Sequence, residues 1–319
     1  MDLLSETIAA TRLQSSLLAN FDLGAPWAID CEQASGSPCH AVREGGTWLL
    51  QSGLEPVYLT AGDLILFPRW DRHILASSPE LQPELITDFL VRAGSRVWQP
   101  GELLDAPIRV QTEGTPRCQM LSMVFRMEAP ENNPLLTGLP KRVLIRKADI
   151  AMAGMLEPAM NFITEEAEGS RPGYAVISNR LAELLFMQIV RVQSLSAPQE
   201  MTGLLRGLAD PMLARSLAAI HARPGARWTV ASLAAACGLS RSTFAQRFHF
   251  LVGEPPKQYL NRLKMALATE RLSGGAPVKV IAGELGYGTS FAFSEAFKRH
   301  FGCAPSLYGR LRSSQDMAG

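Results

Sequence analysis

The sequence has few of the features that mark secreted or membrane proteins. Its 319 residues include only 5 cysteines, too few for a disulfide scaffold, and the odd number leaves at least one thiol unpaired. The first residues lack a basic segment followed by an apolar run, so we expect no signal peptide. The longest strongly apolar stretch, Leu181 to Val190, contains Glu183 and Gln188 and is too short and too polar to span a membrane. We therefore expect a cytoplasmic protein without membrane contact.

The chain also has little net charge, but the charge is unevenly distributed. The net charge is +1, and a hydrophobic content of 47% is enough for the cores of two domains of about 150 residues each. Between Asp210 and Gly319 there are 14 Lys and Arg against 6 Asp and Glu, whereas residues 1–209 hold 17 against 24. A basic C-terminal half suggests that this half binds a polyanion. Chance clustering on solvated faces would give the same imbalance.

An internal repeat occupies the last hundred residues. Small, glycine, aromatic and proline positions recur in one order, Ala234, Gly238, Phe244, Phe248, Gly253, Pro256 and Tyr259 first, then Ala282, Gly286, Phe293, Phe297, Gly302, Pro305 and Tyr308. The offset is 48 residues for the first two positions and 49 for the other five, which one extra residue after Gly286 explains. The segment therefore holds two copies of one supersecondary unit.

Each copy has the pattern of a helix-turn-helix unit, at about 229–252 and about 278–301. Thr229 and Ser240 suit helix N-caps, and Gly238 and Gly286 suit turns that need a positive φ. The phenylalanines at i and i+4 face the core. The outer faces then carry side chains suited to base edges and phosphates: Arg241, Ser242, Thr243, Gln246 and Arg247 in the first unit, and Ser290, Phe291, Ser294, Glu295 and Lys298 in the second. Lys298 also suits the negative end of a helix dipole, which is its alternative role.

The run Gly286-Tyr287-Gly288, the segment 293–299 and the segment 301–305 with Tyr308 closely resemble the signature of AraC-type transcriptional regulators. The resemblance covers 228–310 and implies an all-α DNA-binding domain of seven helices over 210–319. Its two helix-turn-helix units would enter successive major grooves of double-stranded DNA, about 34 Å apart. By position, Ser242, Ala245 and Gln246 would face bases in the first groove, and Ser290, Phe291, Ser294 and Glu295 in the second. Glu295 departs from the basic residue often found there.

Residues 25–130 show a different pattern, in which short apolar runs alternate with Gly, Pro and Asp turns. Such spacing is typical of an antiparallel barrel or sandwich. The pattern from His40 through Gly62-Asp63 and Phe67-Pro68 to His73 resembles the cupin barrel that is fused to AraC-type domains. The implied fold is α+β: a cupin-like sensor and dimerisation domain over 1–194, with its barrel at about 25–130 and helices at about 150–194, then a linker over 195–209. Those helices would pair protomers into a homodimer, or simply pack on their own barrel.

The barrel has a poor set of metal ligands by the cupin pattern. Metal-dependent cupins use a His-x-His pair, a Glu and a later His, but here Ala34 and Gly36 occupy the positions of the pair. His40 and His73 alone lack the third ligand of a non-heme iron site, and using Glu44 would spoil the turn at Gly45. We expect no metal, no cofactor and no catalytic residue. His40 and His73 would line an effector pocket or have a purely structural role.

Three cysteines of the barrel region are candidates for a redox sensor. They are Cys31, Cys39 and Cys118, although a free cysteine is commonly just a small buried hydrophobic residue. Relatives often carry a cysteine where this sequence has Ser122, which weakens the transfer of redox sensing by resemblance.

The leading hypothesis is a sequence-specific transcriptional regulator and not an enzyme. The resemblance implies an activator, because activators are the commoner kind in that family. Its binding to promoter DNA would respond to an unknown small molecule or redox signal sensed by the barrel, and RNA polymerase is a further candidate partner. One alternative is a metal-dependent cupin oxygenase or isomerase tethered to DNA. Another is a nonspecific architectural DNA protein.

Overall fold

A computed structural model of the protein describes residues 4, 13–32, 36–97, 108–127, 133–149, 158–162, 165 and 173–309. The chain forms two compact units, one of residues 7–201 and one that contains residues 202–319. The boundary lies inside the stretch 195–209 that the sequence suggested as a linker.

The first unit is built from two β-sheets. The strands are β1 (Leu13–Gly24), β2 (Ala28–Cys31), β3 (Ser37–Glu44), β4 (Gly46–Gln51), β5 (Leu54–Thr60), β6 (Leu64–Leu66), β7 (His73–Ala76), β8 (Glu84–Leu85), β9 (Ile108–Gln111), β10 (Arg117–Met127) and β11 (Val143–Ile145). Six of them form a sheet in the order β11-β6-β3-β10-β1-β9, and five form a second sheet in the order β5-β4-β7-β2-β8. Apart from the parallel pairs β1–β9 and β2–β8, the neighbours run antiparallel.

The barrel extends beyond the expected range of 25–130 at both ends. Strand β1 begins at Leu13 and pairs along its length with β10, and β11 adds an edge beside β6. Apolar side chains from both sheets meet in one core, including Leu23, Leu49, Phe67 and Leu75. Two short helices, α1 (Ile86–Arg92) and α2 (Pro134–Gly138), follow strands of the barrel, and α1 contributes Phe89 to that core.

A long helix, α3 (Tyr174–Ser196), packs on strands β1, β10 and β11 of its own barrel. Its buried face includes Ala182, Leu185 and Ile189, and the Phe186 ring lies 5.1 Å from the Phe125 ring. Residues 158–162 are also helical, while most of residues 150–172, the first part of the helices expected at about 150–194, lie outside the described residues. Among the residues that the structure describes, no helix is long and apolar enough to cross a membrane.

The second unit is helical. Its helices are α4 (Gly203–Ala209), α5 (Pro211–Ala222), α6 (Val230–Ala236), α7 (Arg241–Val252), α8 (Pro256–Ser273), α9 (Val278–Glu284) and α10 (Ser290–Phe301). Helix α4 lies in the stretch that the sequence suggested as a linker. This stretch is helical because Leu204 is buried in the hydrophobic core that α4 shares with α5, α6 and α7. That burial depends on tertiary partners that local sequence does not reveal.

Helix α8 joins two small hydrophobic cores. Tyr259 and Leu260, in its first half, pack with Phe244 and Phe248. Met265, Ala268 and Leu272, in its second half, pack with Phe293 and Phe297. One continuous helix thus belongs to both halves of the repeat.

Candidate DNA-binding surface and barrel cluster

The first helix-turn-helix unit consists of α6 and α7. The Thr229 hydroxyl accepts a bond from the Ser232 N–H (3.0 Å), and the Ser232 hydroxyl accepts one from the Thr229 N–H (3.0 Å), which forms a capping box. Gly238 makes the turn at a φ of +69°. The Ser240 hydroxyl accepts a bond from the Thr243 N–H (3.2 Å) and so begins α7.

The second unit, α9 and α10, repeats this arrangement. Gly286 makes its turn at a φ of +73°. The Thr289 hydroxyl accepts a bond from the Ala292 N–H (3.1 Å), so Thr289 caps α10. The side chains of Phe293 and Phe297 are completely buried, as are those of Phe244 and Phe248 in the first unit.

The buried phenylalanines set which faces of α7 and α10 remain outside. Five residues of α7 suggested as DNA contacts are exposed, Arg241, Ser242, Thr243, Gln246 and Arg247, whereas Ala245 is half-buried. On α10, Phe291, Glu295 and Lys298 are exposed, whereas Ser290 and Ser294 are half-buried. Phe291 is 75% exposed, an unfavourable state in water for so large an apolar ring.

Arg247 has a protein partner that the sequence did not suggest. Its Nε donates to Asp210 Oδ2 (3.0 Å), and its Nη2 forms an ion pair with the same oxygen. Asp210 also caps α5, accepting bonds from the N–H groups of Met212 and Leu213. Burial raises the pKa of the Asp210 carboxyl, but the bonds from Arg247 and the two N–H groups outweigh it and hold the pKa below its ordinary value. Arg247 therefore ties α7 to the start of α5.

A close contact between two glycines joins the two helix-turn-helix units. A Cβ atom on Gly286 would lie 1.9 Å from the Gly225 carbonyl oxygen, and one on Gly225 would lie 2.0 Å from the Glu284 oxygen. The loop before α6 thus touches the turn after α9. Arg271 of α8 also pairs with Glu284 at 3.4 Å. These contacts, with α8, fix how the two units face each other.

In the barrel, the structure brings Cys31, His40 and His73 into one cluster. Cys31 on β2 lies directly opposite His73 on β7, and His40 reaches them from β3 of the other sheet. Their possible ligand atoms all lie within 4.8 Å of one another, and all three residues are buried. The two Nε2 atoms of the histidines are 2.9 Å apart. The Phe67 ring stacks on His73, with 3.8 Å between the ring centroids.

The hydrogen bonds assign the protons of both imidazoles. Burial lowers the pKa of His73 to about 4 and that of His40 well below its ordinary value, so both rings are neutral near pH 7. His73 Nδ1 lies 2.9 Å from the Asp71 carbonyl oxygen, which can only accept, so Nδ1 carries the proton. His40 Nε2 then donates to His73 Nε2, and the Ser122 hydroxyl donates to His40 Nδ1 (2.7 Å).

The three redox candidates are all buried. Burial raises the pKa of the Cys31 thiol to about 12, with a smaller contribution from Asp30, and burial raises that of Cys118 to about 12. Burial also raises the pKa of Cys39, which alternates with His40 along β3 and so points to the other face of that strand. Thiols that stay protonated are poor nucleophiles. Sequence reasoning missed the grouping of Cys31 with the histidines because only strand pairing brings these distant positions together.

Comparisons with known proteins agree across both units. Residues 2–194 match the family model of a cupin domain, and residues 233–310 match that of a helix-turn-helix domain. A putative AraC-like transcription regulator of Streptomyces lividans is 32% identical over 97% of this chain and 98% of its own. The HTH-type transcriptional regulator AlkR of Acinetobacter baylyi is 30% identical over 97% of this chain and 99% of its own.

A further relative, the RCS-specific HTH-type transcriptional activator RclR of Escherichia coli, is 26% identical over 97% of each chain. These relatives carry names of regulators, and the metal-dependent enzyme interpretation is not favoured. With a cupin domain followed by a double helix-turn-helix domain, the chain belongs to the AraC-type family of DNA-binding transcriptional regulators.

Proposed function

We propose that the protein binds promoter DNA as a homodimer and that each protomer inserts α7 and α10 into successive major grooves. The observation that carries this proposal is the repetition of one helix-turn-helix pattern at offsets of 48 and 49 residues, each copy anchored by a completely buried phenylalanine pair. Because DNA is its target, the protein acts in the cytoplasm.

The exposed and half-buried side chains of α7 and α10 divide by chemistry into three roles. Ser242, Gln246, Ser290, Ser294 and Glu295 carry the donors and acceptors that read base edges. Arg241, Thr243, Arg247 and Lys298 bind phosphates, which positions the helices without reading sequence. Phe291 and Ala245 offer apolar contact to thymine methyl groups, which would cover the exposed Phe291 ring.

The outward face of α3 supplies the dimer contact. Ile177, Leu184 and Leu195 follow one another at spacings of 7 and 11 residues, which places them on one line along a helix of 3.6 residues per turn. They are exposed by 38%, 40% and 73%, and the adjacent Val176 by 67%. The opposite face of α3 packs on the barrel, so the exposed apolar line is available to a second copy.

A signal at the barrel would change DNA binding by favouring one arrangement of the dimer over another. In the structure His40 and His73 bond to each other, so a small-molecule effector that used both imidazoles would have to separate them. We infer activation as the outcome, in line with the name of the relative RclR, and this requires a contact with RNA polymerase.

Base reading is tested with full-length protein on a site found by footprinting. We expect Gln246→Ala to weaken binding by about 1–3 kcal/mol on the native site and to lose discrimination at one base pair. The matched control is Gln199→Ala, which changes an exposed glutamine of the compact unit of residues 7–201. This variant should bind DNA as the parent does. An equal loss on random DNA would remove Gln246 from base reading.

Phosphate contact is tested by the salt dependence of the same binding. The ion pair with Asp210 uses Nε and Nη2 of Arg247, and the remaining Nη1 can still reach a phosphate. Arg247→Ala should then weaken binding to all sequences alike and lower the slope of log K against log salt by about 1. An unchanged slope would mean that Arg247 does not contact a phosphate and only links α7 to α5.

A further inference from the structure

We propose that Cys31, His40 and His73 bind one thiophilic metal ion, Cu⁺ or Zn²⁺, through Cys31 Sγ and the Nε2 atoms of both histidines. This inference rests on the barrel alone and does not depend on how the protein reads DNA. The ligand set shares only His73, which matches the later histidine, with the cupin pattern; Cys31 has no counterpart there, and the positions of the histidine pair hold Ala34 and Gly36.

The geometry is close to what such an ion needs. The three ligand atoms lie within 4.8 Å of one another, so an ion among them is near bonding distance to each. Two zinc–nitrogen bonds of about 2.0–2.1 Å at a tetrahedral angle separate the nitrogens by about 3.3 Å. The Nε2 atoms of His40 and His73 are 2.9 Å apart, so the rings must open by about 0.4 Å. A small rotation of either ring achieves this.

The second atoms of both imidazoles are already held as ligand histidines require. His73 Nδ1–H donates to the Asp71 carbonyl, which leaves the Nε2 lone pair directed at the cluster. His40 needs only a change of tautomer: its proton leaves Nε2 and a proton on Nδ1 then donates to the Ser122 hydroxyl oxygen (2.7 Å). Bonds of this kind orient metal-binding histidines and raise their affinity.

The charges favour a soft cation of low charge. The cluster contains one thiol and two imidazoles, in an apolar core with Phe67 stacked on His73. A thiolate with Cu⁺ is neutral overall, whereas the same ligands with Zn²⁺ leave one positive charge in a poorly solvated interior, where the nearby Asp30 carboxylate is already paired with Arg72. Thiolate ligands select Cu⁺ and Zn²⁺ over hard ions such as Mg²⁺, which prefer oxygen.

An ion at this position would join the two sheets of the barrel. Cys31 and His73 lie on the five-stranded sheet, and His40 with its partner Ser122 lies on the six-stranded sheet. Three ligands leave one coordination position open on Zn²⁺, whereas Cu⁺ is satisfied by a trigonal set of two histidines and one cysteine. Binding of an ion would therefore directly change how the two sheets of the barrel are held together.

The test uses full-length protein, stripped by a chelator and kept reduced. Zn²⁺ and Cu⁺ are added in separate competition titrations against chromophoric chelators of known affinity, and Co²⁺ serves as a spectroscopic probe. We expect one ion per chain and a thiolate-to-Co²⁺ charge-transfer band. Comparing the two titrations shows which ion the protein binds with the higher affinity, and that ion identifies the metal. Failure of both ions to bind at one per chain overturns the proposal.

Three variants locate the ion. Removing a residue that only hydrogen-bonds a metal ligand typically lowers metal affinity roughly 10–100-fold, and Ser122→Ala should fall within that range. Cys31→Ser and His73→Gln remove ligands themselves and should lower metal affinity by more. Cys118→Ser, another buried thiol of the same core, is the matched control and should bind as the parent does. Unchanged binding in Cys31→Ser, or an equal loss in Cys118→Ser, overturns the assignment.

X-ray absorption of the metal-loaded parent protein keeps the test independent of how the variants fold. One sulfur and two imidazole nitrogens in the first coordination shell support the site. A shell without sulfur overturns it.

Discussion

At the scale of single residues, burial and one polar partner decide the protonation state of an ionisable side chain. His221 of α5 illustrates this, because its Nε2 lies 2.7 Å from the Tyr259 hydroxyl of α8. Burial, and then the charge of Arg262, lower the pKa of His221 to about 4. The Arg262 guanidinium lies 5.2 Å from the centroid of the Tyr259 ring and pairs with Glu254. The native state therefore keeps His221 neutral where the unfolded chain would protonate it.

This difference predicts a loss of stability in mild acid. A histidine whose native pKa lies below its ordinary value of 6.5 destabilises the fold as the pH falls from 6.5 toward 4, because only the unfolded chain takes up the proton. Between about pH 7.5 and pH 5.5 the parent should lose about 1 kcal/mol more than His221→Gln. Urea unfolding of both proteins at the two pH values measures it. Equal losses would contradict the neutral state.

At the scale of elements, the two turn glycines have one backbone conformation but different surroundings. Gly238 and Gly286 have φ values of +69° and +73°. A Cβ atom on Gly238 would meet nothing within 4 Å, whereas one on Gly286 would meet the Gly225 backbone. The first glycine serves only its own turn, and the second also holds the two helix-turn-helix units together.

Alanine at each position separates these roles. Gly238→Ala should cost about 1–2 kcal/mol, the usual penalty of a left-handed conformation for a residue with a Cβ atom. Gly286→Ala should cost about 1–3 kcal/mol more, because the backbone at Gly225 must move. It should also weaken binding to two-groove sites more than to single half-sites. Similar unfolding curves for the two variants would mean that the glycine contact is unimportant.

At the scale of the whole molecule, the proposed dimer depends on one line of apolar residues on α3. Leu184→Glu should raise the dimer dissociation constant about 10-fold or more, since burying a leucine contributes about 1.5–3 kcal/mol. Val91→Glu on α1, at a position that is 65% exposed, is the control. Sedimentation of the full-length proteins measures both. An unchanged dissociation constant for Leu184→Glu would place the contact elsewhere.

Dimerisation also sets affinity for paired DNA sites, because the second protomer binds from a high local concentration. The Leu184→Glu variant should therefore lose affinity for paired sites and keep its affinity for a single site. A loss on both would point to damage of the fold and not of the dimer contact.

The sequence by itself determined the double helix-turn-helix unit. Caps at Thr229 and Ser240, turns at Gly238 and Gly286, and phenylalanines at i and i+4 are local signals, and each acts within a few residues of its own position. The alternation of apolar runs and turns likewise indicated the barrel, and the recurrence at 48 and 49 residues located both copies.

Only the tertiary structure decided which distant residues meet. Cys31 lies beside His73 because β2 pairs with β7 in that register, and His40 completes the cluster from the opposite sheet. In the same way Asp210 receives Arg247 across 37 residues, and Gly225 meets Gly286. These contacts follow from the joint burial of whole strands and helices, whose register no short stretch of sequence specifies.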